Sequence, residues 1–195
     1  MTAPDGFASA AWLVAALSVA GAAHVLWLRS AWARRFSQPL DGGATFRGRR
    51  VFGANKQVRG LMMMPLASAL AFAVLGGARD LYPEWLARGL WDLPPAMYAA
   101  LGFACGLAFM LAELPNSFLK RQLDVAPGAA PQGGGLRPLC FVIDRCDSTV
   151  GVLVVLTLLV PVSAATWLWA LLLGPVSHAA FSTWLYRERL KARPL

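Results

Sequence analysis

Charged residues are scarce in this chain of 195 residues. They make up 14% of the sequence, whereas hydrophobic residues make up 57%, and the mean hydropathy is +0.53. A soluble domain usually contains about 25% charged residues. The shortage of charge therefore argues against a soluble protein. It predicts an all-α, polytopic membrane protein that folds as a single domain over residues 1–195.

Several motifs of soluble enzymes are also missing. The three cysteines, Cys105, Cys140 and Cys146, have no CxxC or zinc-like spacing, so we expect them to be small apolar residues. No GxxxxGK[ST] motif is present, which excludes a P-loop nucleotide site, and no Ser/His/Asp arrangement stands out. The N-terminal MTAPDGF has no basic residue before the first apolar run, so we expect that run to be retained rather than cleaved as a signal peptide.

Acidic residues are few relative to basic ones. The chain has 10 Asp and Glu against 18 Lys and Arg, which gives a formal net charge of +8. In a soluble protein this excess would suggest a nucleic-acid partner. In a membrane protein the first explanation is orientation, because Lys and Arg collect on the cytoplasmic side. We therefore predict a lipid bilayer, and no nucleic acid, as the partner of the chain.

Five apolar segments predict five membrane spans, at about 7–28, 61–77, 96–113, 148–162 and 164–186. The first segment has no charge and is long enough to cross the hydrocarbon core as a helix. The last two come from one uncharged run that is too long for a single span, and Pro161 predicts a break between them. Trp12, Trp27 and Trp32 suit membrane interfaces, and His24 suits packing or an interface.

Basic residues are concentrated in three regions that predict the orientation. Loop 29–60 holds eight Lys and Arg, stretch 113–148 holds four, and the tail after Tyr186 holds four. Five spans place all three regions on one side, which should be the cytoplasm. The prediction is therefore an integral inner-membrane protein with its N-terminus outside, its C-terminus in the cytoplasm and its polar loops facing the cytoplasm.

The stretch from Glu113 to Ser148 interrupts the apolar pattern with carboxylates and hydroxyls. Glu113 and Ser117 are four apart and share a helix face if the third helix continues past its proline. Asp144 and Asp147 are three apart and would also share a face. Hard oxygen ligands of this kind suit Mg²⁺, which often bridges to phosphate. Alternatively, Asp147 or Ser148 caps the fourth span.

Cations in the same stretch are open to two interpretations. Lys120 and Arg121 could bind phosphate, or they could extend to the membrane surface while their stems stay in the apolar region. The glycines at 133–135 could form a flexible connector, or they could present backbone N–H groups to phosphate. His178 is polar within the fifth span, which favours a functional role, although a satisfied buried histidine is also compatible.

These residues resemble the signature of the CDP-archaeol synthase family, which is related to CDP-diacylglycerol synthase. The similar blocks are Glu113-x-x-x-Ser117-Phe118-x-Lys120-Arg121, then Gly128 and Asp144-x-x-Asp147-Ser148, together with Pro39-x-Asp41-x-Gly43, Phe52-Gly53-x-x-Lys56-x-x-Arg59-Gly60 and Pro175-x-x-His178. The resemblance implies about five spans and an integral-membrane nucleotidyltransferase that uses CTP and Mg²⁺. The sequence departs from the family pattern at Glu113, Gln57 and Ser182, which bears on the lipid more than on the reaction.

The resemblance also implies a role for each site residue. The metal ligands would be Glu113, Asp144 and Asp147, and the catalytic residues would be Asp144, Asp147 and Lys120. The residues that bind CTP and the lipid phosphate would be Lys56, Arg59, Ser117, Lys120 and Arg121, with secondary contacts from Asp41, Ser148 and His178. The implied reaction forms a CDP-activated membrane lipid and pyrophosphate in phospholipid biosynthesis, and the sequence does not indicate an oligomeric state.

Two other functions fit parts of the sequence. A CDP-alcohol phosphatidyltransferase also uses paired aspartates, but its D-G-x-x-A-R run is absent, because Asp41-Gly42 is not followed by Ala-Arg. A non-catalytic lipid-binding or transport protein would use the cations as topology signals and the carboxylates as helix caps. Cytidylyl transfer to a lipid phosphate is the leading hypothesis.

Overall fold

Helices provide nearly all of the regular structure in the computed structural model, which describes residues 2–127, 129 and 136–187. The helices are α1 (Gly6–Leu28), α2 (Ala31–Arg35), α3 (Val58–Gly77), α4 (Glu84–Ala87), α5 (Pro95–Gln122), α6 (Leu136–Leu159) and α7 (Ala164–Arg187). A single 3₁₀ turn covers Arg79–Leu81. Two antiparallel strands of two residues each, β1 (Thr45–Phe46) and β2 (Arg49–Arg50), form a small hairpin. They lie in the connection between α2 and α3, residues 36–57, which we call the first loop.

Four helices among the described residues, α1, α3, α5 and α7, are long and apolar enough to cross a membrane. The prediction of an all-α polytopic membrane protein is confirmed at this level. The remaining long helix, α6, has 24 residues and would extend about 36 Å. Its first half carries Arg137, Asp144, Arg145 and Asp147, and its second half is uncharged.

Several helix boundaries differ from the predicted spans, and three of them lie near the polar stretch or the first loop. α5 continues past residue 113 to Gln122 with Pro115 inside it, α6 begins at Leu136 rather than 148, and α3 begins at Val58 rather than 61. The prediction ended each span where charge begins, but backbone hydrogen bonding does not stop at a charged residue whose side chain finds a partner. Asp147 and Ser148 therefore lie inside α6, and the alternative that they cap a helix is wrong.

The turn between α6 and α7 is fixed by side chains as well as by proline. Ser163 caps α7, because its Oγ accepts a hydrogen bond from the Thr166 N–H at 3.1 Å. The Trp91 indole N–H donates to the carbonyl of Pro161 at 2.8 Å. At the start of the chain, the Asp5 carboxylate caps α1 by accepting from the Ala8 N–H at 2.9 Å.

An aromatic cluster forms the centre of the core. The ring of Trp12 on α1 lies 5.0 Å from that of Phe72 on α3 and 5.4 Å from that of Tyr98 on α5, between ring centroids. Trp12 is 2% exposed, whereas Trp32 is 65% exposed. The expectation that Trp12 lies at an interface is therefore wrong, because its indole fills the space where α1 meets α3 and α5.

Candidate functional site

Two facing helices bring the polar residues of the 113–148 stretch together. On α5, intervals of three and four residues place Glu113, Asn116 and Lys120 on one helix face. On α6, the same kind of interval places Asp144, Asp147 and Ser148 on one face. These six side chains are joined by hydrogen bonds and ion pairs, and we call them the α5–α6 cluster.

Asn116 lies between the two aspartates of the α5–α6 cluster. Its Nδ2 donates to Asp144 Oδ1 at 2.6 Å and to Asp147 Oδ2 at 3.1 Å. The Lys120 ammonium donates to the same oxygen of Asp144. The other oxygen of Asp147 accepts from the backbone N–H of Ser148 at 2.7 Å. The two carboxylates are therefore held side by side by one amide, and Asp144 is also paired with a cation.

Glu113 connects the α5–α6 cluster to the first loop. Its Oε2 accepts from Lys56, which lies just before α3, and its Oε1 accepts from the Ser148 hydroxyl at 3.0 Å. The side chains of Lys56 and Glu113 are 15% and 21% exposed, so this ion pair is largely shielded from water. Breaking such a pair by removing one partner leaves an uncompensated charge and is costly.

Arg121 is a buried cation beside the first loop. It is 8% exposed, and its Nε and Nη1 have no hydrogen-bond partner within the part of the chain that the structure describes. Its Cδ lies 3.6 Å from the position that a Cβ at Gly53 would take. A buried guanidinium needs a compensating charge or acceptors, and a bound phosphate group supplies both.

A cavity of about 470 Å³ lies between α1, α3, α5, α6 and α7. One end is apolar, with walls from Leu13, Leu17, Met64, Phe109 and Val152. The other end is polar and includes Lys56, Arg59, Glu113, Arg145, Ser148 and both histidines of the chain, His24 and His178. An apolar pocket with a few polar groups at one end suits an amphiphilic ligand.

The predicted site residues fall into three sets. Lys56, Arg59, Glu113, Ser148 and His178 line the cavity. Lys120, Asp144 and Asp147 adjoin it through the α5–α6 cluster. The structure does not bring Ser117, Arg121 or Asp41 to the cavity lining.

Asp41 organises the first loop instead. Its carboxylate binds the Arg50 guanidinium and accepts from the backbone N–H groups of Gly43, Phe52 and Gly53, each at 3.0 Å. The Arg50 hydrogen bond, with the three backbone N–H groups, holds the pKa of Asp41 well below its ordinary value, while desolvation opposes that shift. Asp41 therefore stabilises the first loop by accepting hydrogen bonds from its backbone and from Arg50.

The donor chemistry of the aspartate pair fits a hard divalent cation. Among the described residues, no group of three or more His, Cys, Asp and Glu side chains has a metal-binding arrangement. Asp144 and Asp147 nevertheless both accept a hydrogen bond from the Asn116 Nδ2. The Ser148 hydroxyl lies within hydrogen-bond distance of both Asp147 and Glu113 and so links the two carboxylates. Mg²⁺ usually takes one or two carboxylates and completes its shell with water and phosphate oxygens, so two aspartates suffice.

Sequence reasoning missed Asn116, Arg145 and the cavity position of His24. Asn116 was within the stretch already singled out, and its spacing from Glu113 and Lys120 was a signal that it shares their helix face. His24 had no such signal, because its neighbours in the cavity come from distant parts of the chain.

Known proteins were compared with the chain as a whole. No protein-family model matches it, and no solved structure matches it significantly. It is 31% identical to the CDP-archaeol synthase of Halobacterium salinarum over 124 residues, which are 64% of this chain and 61% of that protein. The CDP-archaeol synthase of Thermococcus onnurineus is 33% identical over 103 residues, which are 49% of this chain and 52% of that protein. That of Methanospirillum hungatei is 26% identical over 163 residues, which are 80% and 89% of the two chains.

The chain is similar in sequence to these CDP-archaeol synthases. The resemblance predicted from the motifs is thereby confirmed. The alignment spans about three-fifths of the length of the Halobacterium CDP-archaeol synthase, so the activity of these relatives enters below as a proposal for this chain.

Proposed function

We propose that the protein is a CTP-dependent lipid-phosphate cytidylyltransferase that forms a CDP-activated membrane lipid and pyrophosphate in phospholipid biosynthesis. One observation carries the proposal: the α5–α6 cluster of carboxylates and cations adjoins the polar end of an apolar cavity. The apolar end suits a lipid tail, and the polar end suits its phosphate. The names of the relatives support the same reaction class.

The reaction needs positioning and charge neutralisation more than proton transfer. An oxygen of the lipid phosphate attacks the α-phosphorus of CTP, and a new P–O bond forms. The bond between the α-phosphorus and the oxygen that bridges to the β-phosphorus breaks, so pyrophosphate leaves with that electron pair. Because the nucleophile is already anionic, the chain's main tasks are to align the two phosphates and to balance their charge.

The cations divide naturally between two sides of the site. Lys56 and Arg59 line the cavity and would bind the lipid phosphate there. Lys120 and Arg121, near the end of α5, would bind the triphosphate of CTP. His178 and Ser148 would make secondary contacts at the cavity wall, and Ser117 a secondary contact on α5. In this assignment Glu113 keeps Lys56 in place until a phosphate competes for it.

Mg²⁺ fits the carboxylates of the cluster as a cofactor. Asp144 and Asp147 would hold it, with Glu113 beside them through Ser148. When bound, the ion neutralises charge on the triphosphate. The Lys120 ammonium, which now binds Asp144, would then be released to bind phosphate.

We place five spans in the inner membrane with the site at the cytoplasmic surface. In this arrangement α6 is the fourth span, the N-terminus lies outside and the C-terminus lies in the cytoplasm. The polar end of the cavity is lined by basic residues of the first loop, α3 and α6, namely Lys56, Arg59 and Arg145. Lys and Arg favour the cytoplasmic side, where a water-soluble nucleotide would meet a lipid head group.

Replacing Asp147 with asparagine tests the proposal. Purified wild-type protein in lipid nanodiscs, given CTP, Mg²⁺ and a panel of lipid phosphates, should release pyrophosphate and yield a CDP-lipid detected by mass spectrometry. The panel contains phosphatidate, an ether-linked isoprenoid phosphate and an isoprenyl monophosphate. Asp147→Asn removes one anionic ligand and should lower the rate by at least about 100-fold, as expected for loss of an electrostatic group at a reacting phosphate.

Asp92→Asn is the matched control. Asp92 is 97% exposed and pairs with Arg79 near the beginning of α5, at the other end of that helix from Lys120, so its rate should stay at the wild-type level. No turnover by the wild type with any lipid of the panel would refute the proposal. Consumption of a CDP-lipid with release of CMP would instead identify a CDP-alcohol phosphatidyltransferase.

A further inference from the structure

Asn116 contacts both aspartates of the α5–α6 cluster. Its Nδ2 lies 2.6 Å from Asp144 Oδ1 and 3.1 Å from Asp147 Oδ2. An amide nitrogen carries two hydrogens, so one side chain can satisfy two acceptors at once. Asn116 is therefore in a position to set the separation of the two carboxylates.

The two aspartates need such a partner. Asp144 and Asp147 are three residues apart on α6 and share a helix face, where like charges repel. Lys120 offsets part of this repulsion, but it binds Asp144 only. The Ser148 backbone N–H fixes the other oxygen of Asp147. The Asn116 amide is thus the link that turns two separately anchored carboxylates into a pair.

We infer that Asn116 is a positioning residue: by bridging Asp144 and Asp147 it keeps the two carboxylates paired for a divalent cation. The inference rests on the proposed function for the identity of the site, and it adds a residue that neither the motifs nor the names of the relatives assign. Preorganised ligands bind a cation more tightly, because the cost of bringing like charges together is met during folding. Loss of the amide should therefore weaken cation binding even though no ligand is removed.

Binding of Mn²⁺ to the full-length protein in detergent micelles, measured by electron paramagnetic resonance without CTP, tests the inference directly. Asn116→Leu keeps the branched shape and the number of side-chain heavy atoms but cannot donate, so we expect its Kd for Mn²⁺ to rise at least about tenfold, the effect of losing an outer partner of metal ligands. Leu119→Ala, at a 58% exposed position of the same helix, should bind Mn²⁺ as the wild type does. Equal Kd values for wild type and Asn116→Leu would overturn the inference.

Asn116→Asp provides a second route if the leucine variant does not fold. A third carboxylate between Asp144 and Asp147 adds repulsion that only a cation relieves. We expect its Tm without cation to fall below that of the wild type, and its rise in Tm with Mg²⁺ to exceed that of the wild type. Equal rises in Tm would overturn the inference.

The same experiments separate this inference from the proposed function. If the wild type forms a CDP-lipid but Asn116→Leu binds Mn²⁺ normally, the inference fails and the proposed function stands. If the wild type binds Mn²⁺ and Asn116→Leu does not, while no lipid phosphate is turned over, the inference stands and the proposed function fails.

Discussion

Aspartates of this chain do different work according to which groups surround them. Asp41 is held by one guanidinium and three backbone N–H groups within a single loop. Asp144 and one oxygen of Asp147 are held by side chains of another helix, and the other oxygen of Asp147 accepts from the Ser148 N–H. A carboxylate that accepts hydrogen bonds from the backbone of its own loop stabilises that loop. A carboxylate that is bound by side chains of another helix can exchange those side-chain donors for a ligand.

Asp41→Asn should loosen the first loop without unfolding the helices. Asparagine loses the charge that binds Arg50, and hydrogen bonds to charged groups contribute more than neutral ones, so exchange of loop amides should become about tenfold faster at neutral pH. Hydrogen exchange of residues 39–57, followed by mass spectrometry, measures this. Asp124→Asn is the control, because Asp124 is 68% exposed and its pair with Arg49 contributes little. Equal acceleration in both variants would contradict the role given to Asp41.

The lowered pKa of Asp41 also predicts how the loop responds to pH. A carboxyl whose folded-state pKa lies below its unfolded value of about 3.9 stabilises the fold fully above that unfolded value. It loses this contribution as the pH falls below it. After correction for intrinsic rates, exchange in the wild-type loop should be constant between about pH 5 and pH 8 and should rise below about pH 4. In Asp41→Asn this rise should be absent. A rise of equal size in the variant would show that another group is responsible.

At the scale of elements, close packing of α3 and α5 depends on glycines. A Cβ at Gly102 would lie 2.4 Å from the Ser68 carbonyl oxygen, and one at Gly106 would lie 2.8 Å from the Met64 carbonyl oxygen. Small residues four apart let membrane helices approach closely. α5 is therefore held against α3 along its first half, while its second half carries the residues of the α5–α6 cluster.

Gly102→Ala should destabilise the protein, although alanine is the better helix former. In an exposed helix the change would be favourable by up to about 1 kcal/mol. Here the added methyl group meets backbone that cannot move away without separating the helices, and overpacking costs about 1 to 3 kcal/mol. Thermal denaturation in detergent should show a lower Tm. Gly77→Ala, where the Cβ would lie 3.4 Å from Pro95, should keep the wild-type Tm, and a similar loss in both variants would refute the packing argument.

At the scale of the whole molecule, α5 separates two chemically different ends. Asp92 lies just before the helix and Asp124 just after it, and 28 residues span about 42 Å. The end near Asp124 carries the basic first loop, because Arg49 of β2 binds both Asp124 and the carbonyl of Gln122. The proposed orientation places this end in the cytoplasm.

Thiol labelling at these two aspartates tests the orientation. In a background where Cys105, Cys140 and Cys146 are replaced by alanine, Asp92→Cys should react in intact cells with a membrane-impermeant maleimide. Asp124→Cys should react only after the cells are opened, since five spans with the basic loops inside put it in the cytoplasm. Both positions are well exposed, at 97% and 68% for their side chains, so they serve as controls for each other. The opposite labelling pattern would mean an inverted protein.

The sequence by itself determined the class of the protein and its resemblance to the CDP-archaeol synthases. Apolar segments, a shortage of charge and a concentration of basic residues are properties of composition, and they predicted a helical membrane protein without reference to contacts. The motif around Lys120 and Asp144 predicted the resemblance to the CDP-archaeol synthases, because a motif depends only on the order of residues along the chain. Span boundaries were less well predicted, since charge marks a change of environment and not the end of a helix.

Only the tertiary structure decided which side chains meet. Lys56 and Glu113 are 57 residues apart and form an ion pair, and Asn116 reaches across to two aspartates of another helix. Such contacts depend on the rotation and packing of each helix, which hydropathy does not encode. The same reason explains why Trp12 was expected at an interface but is buried, and why Asp41 was expected at the site but holds its own loop.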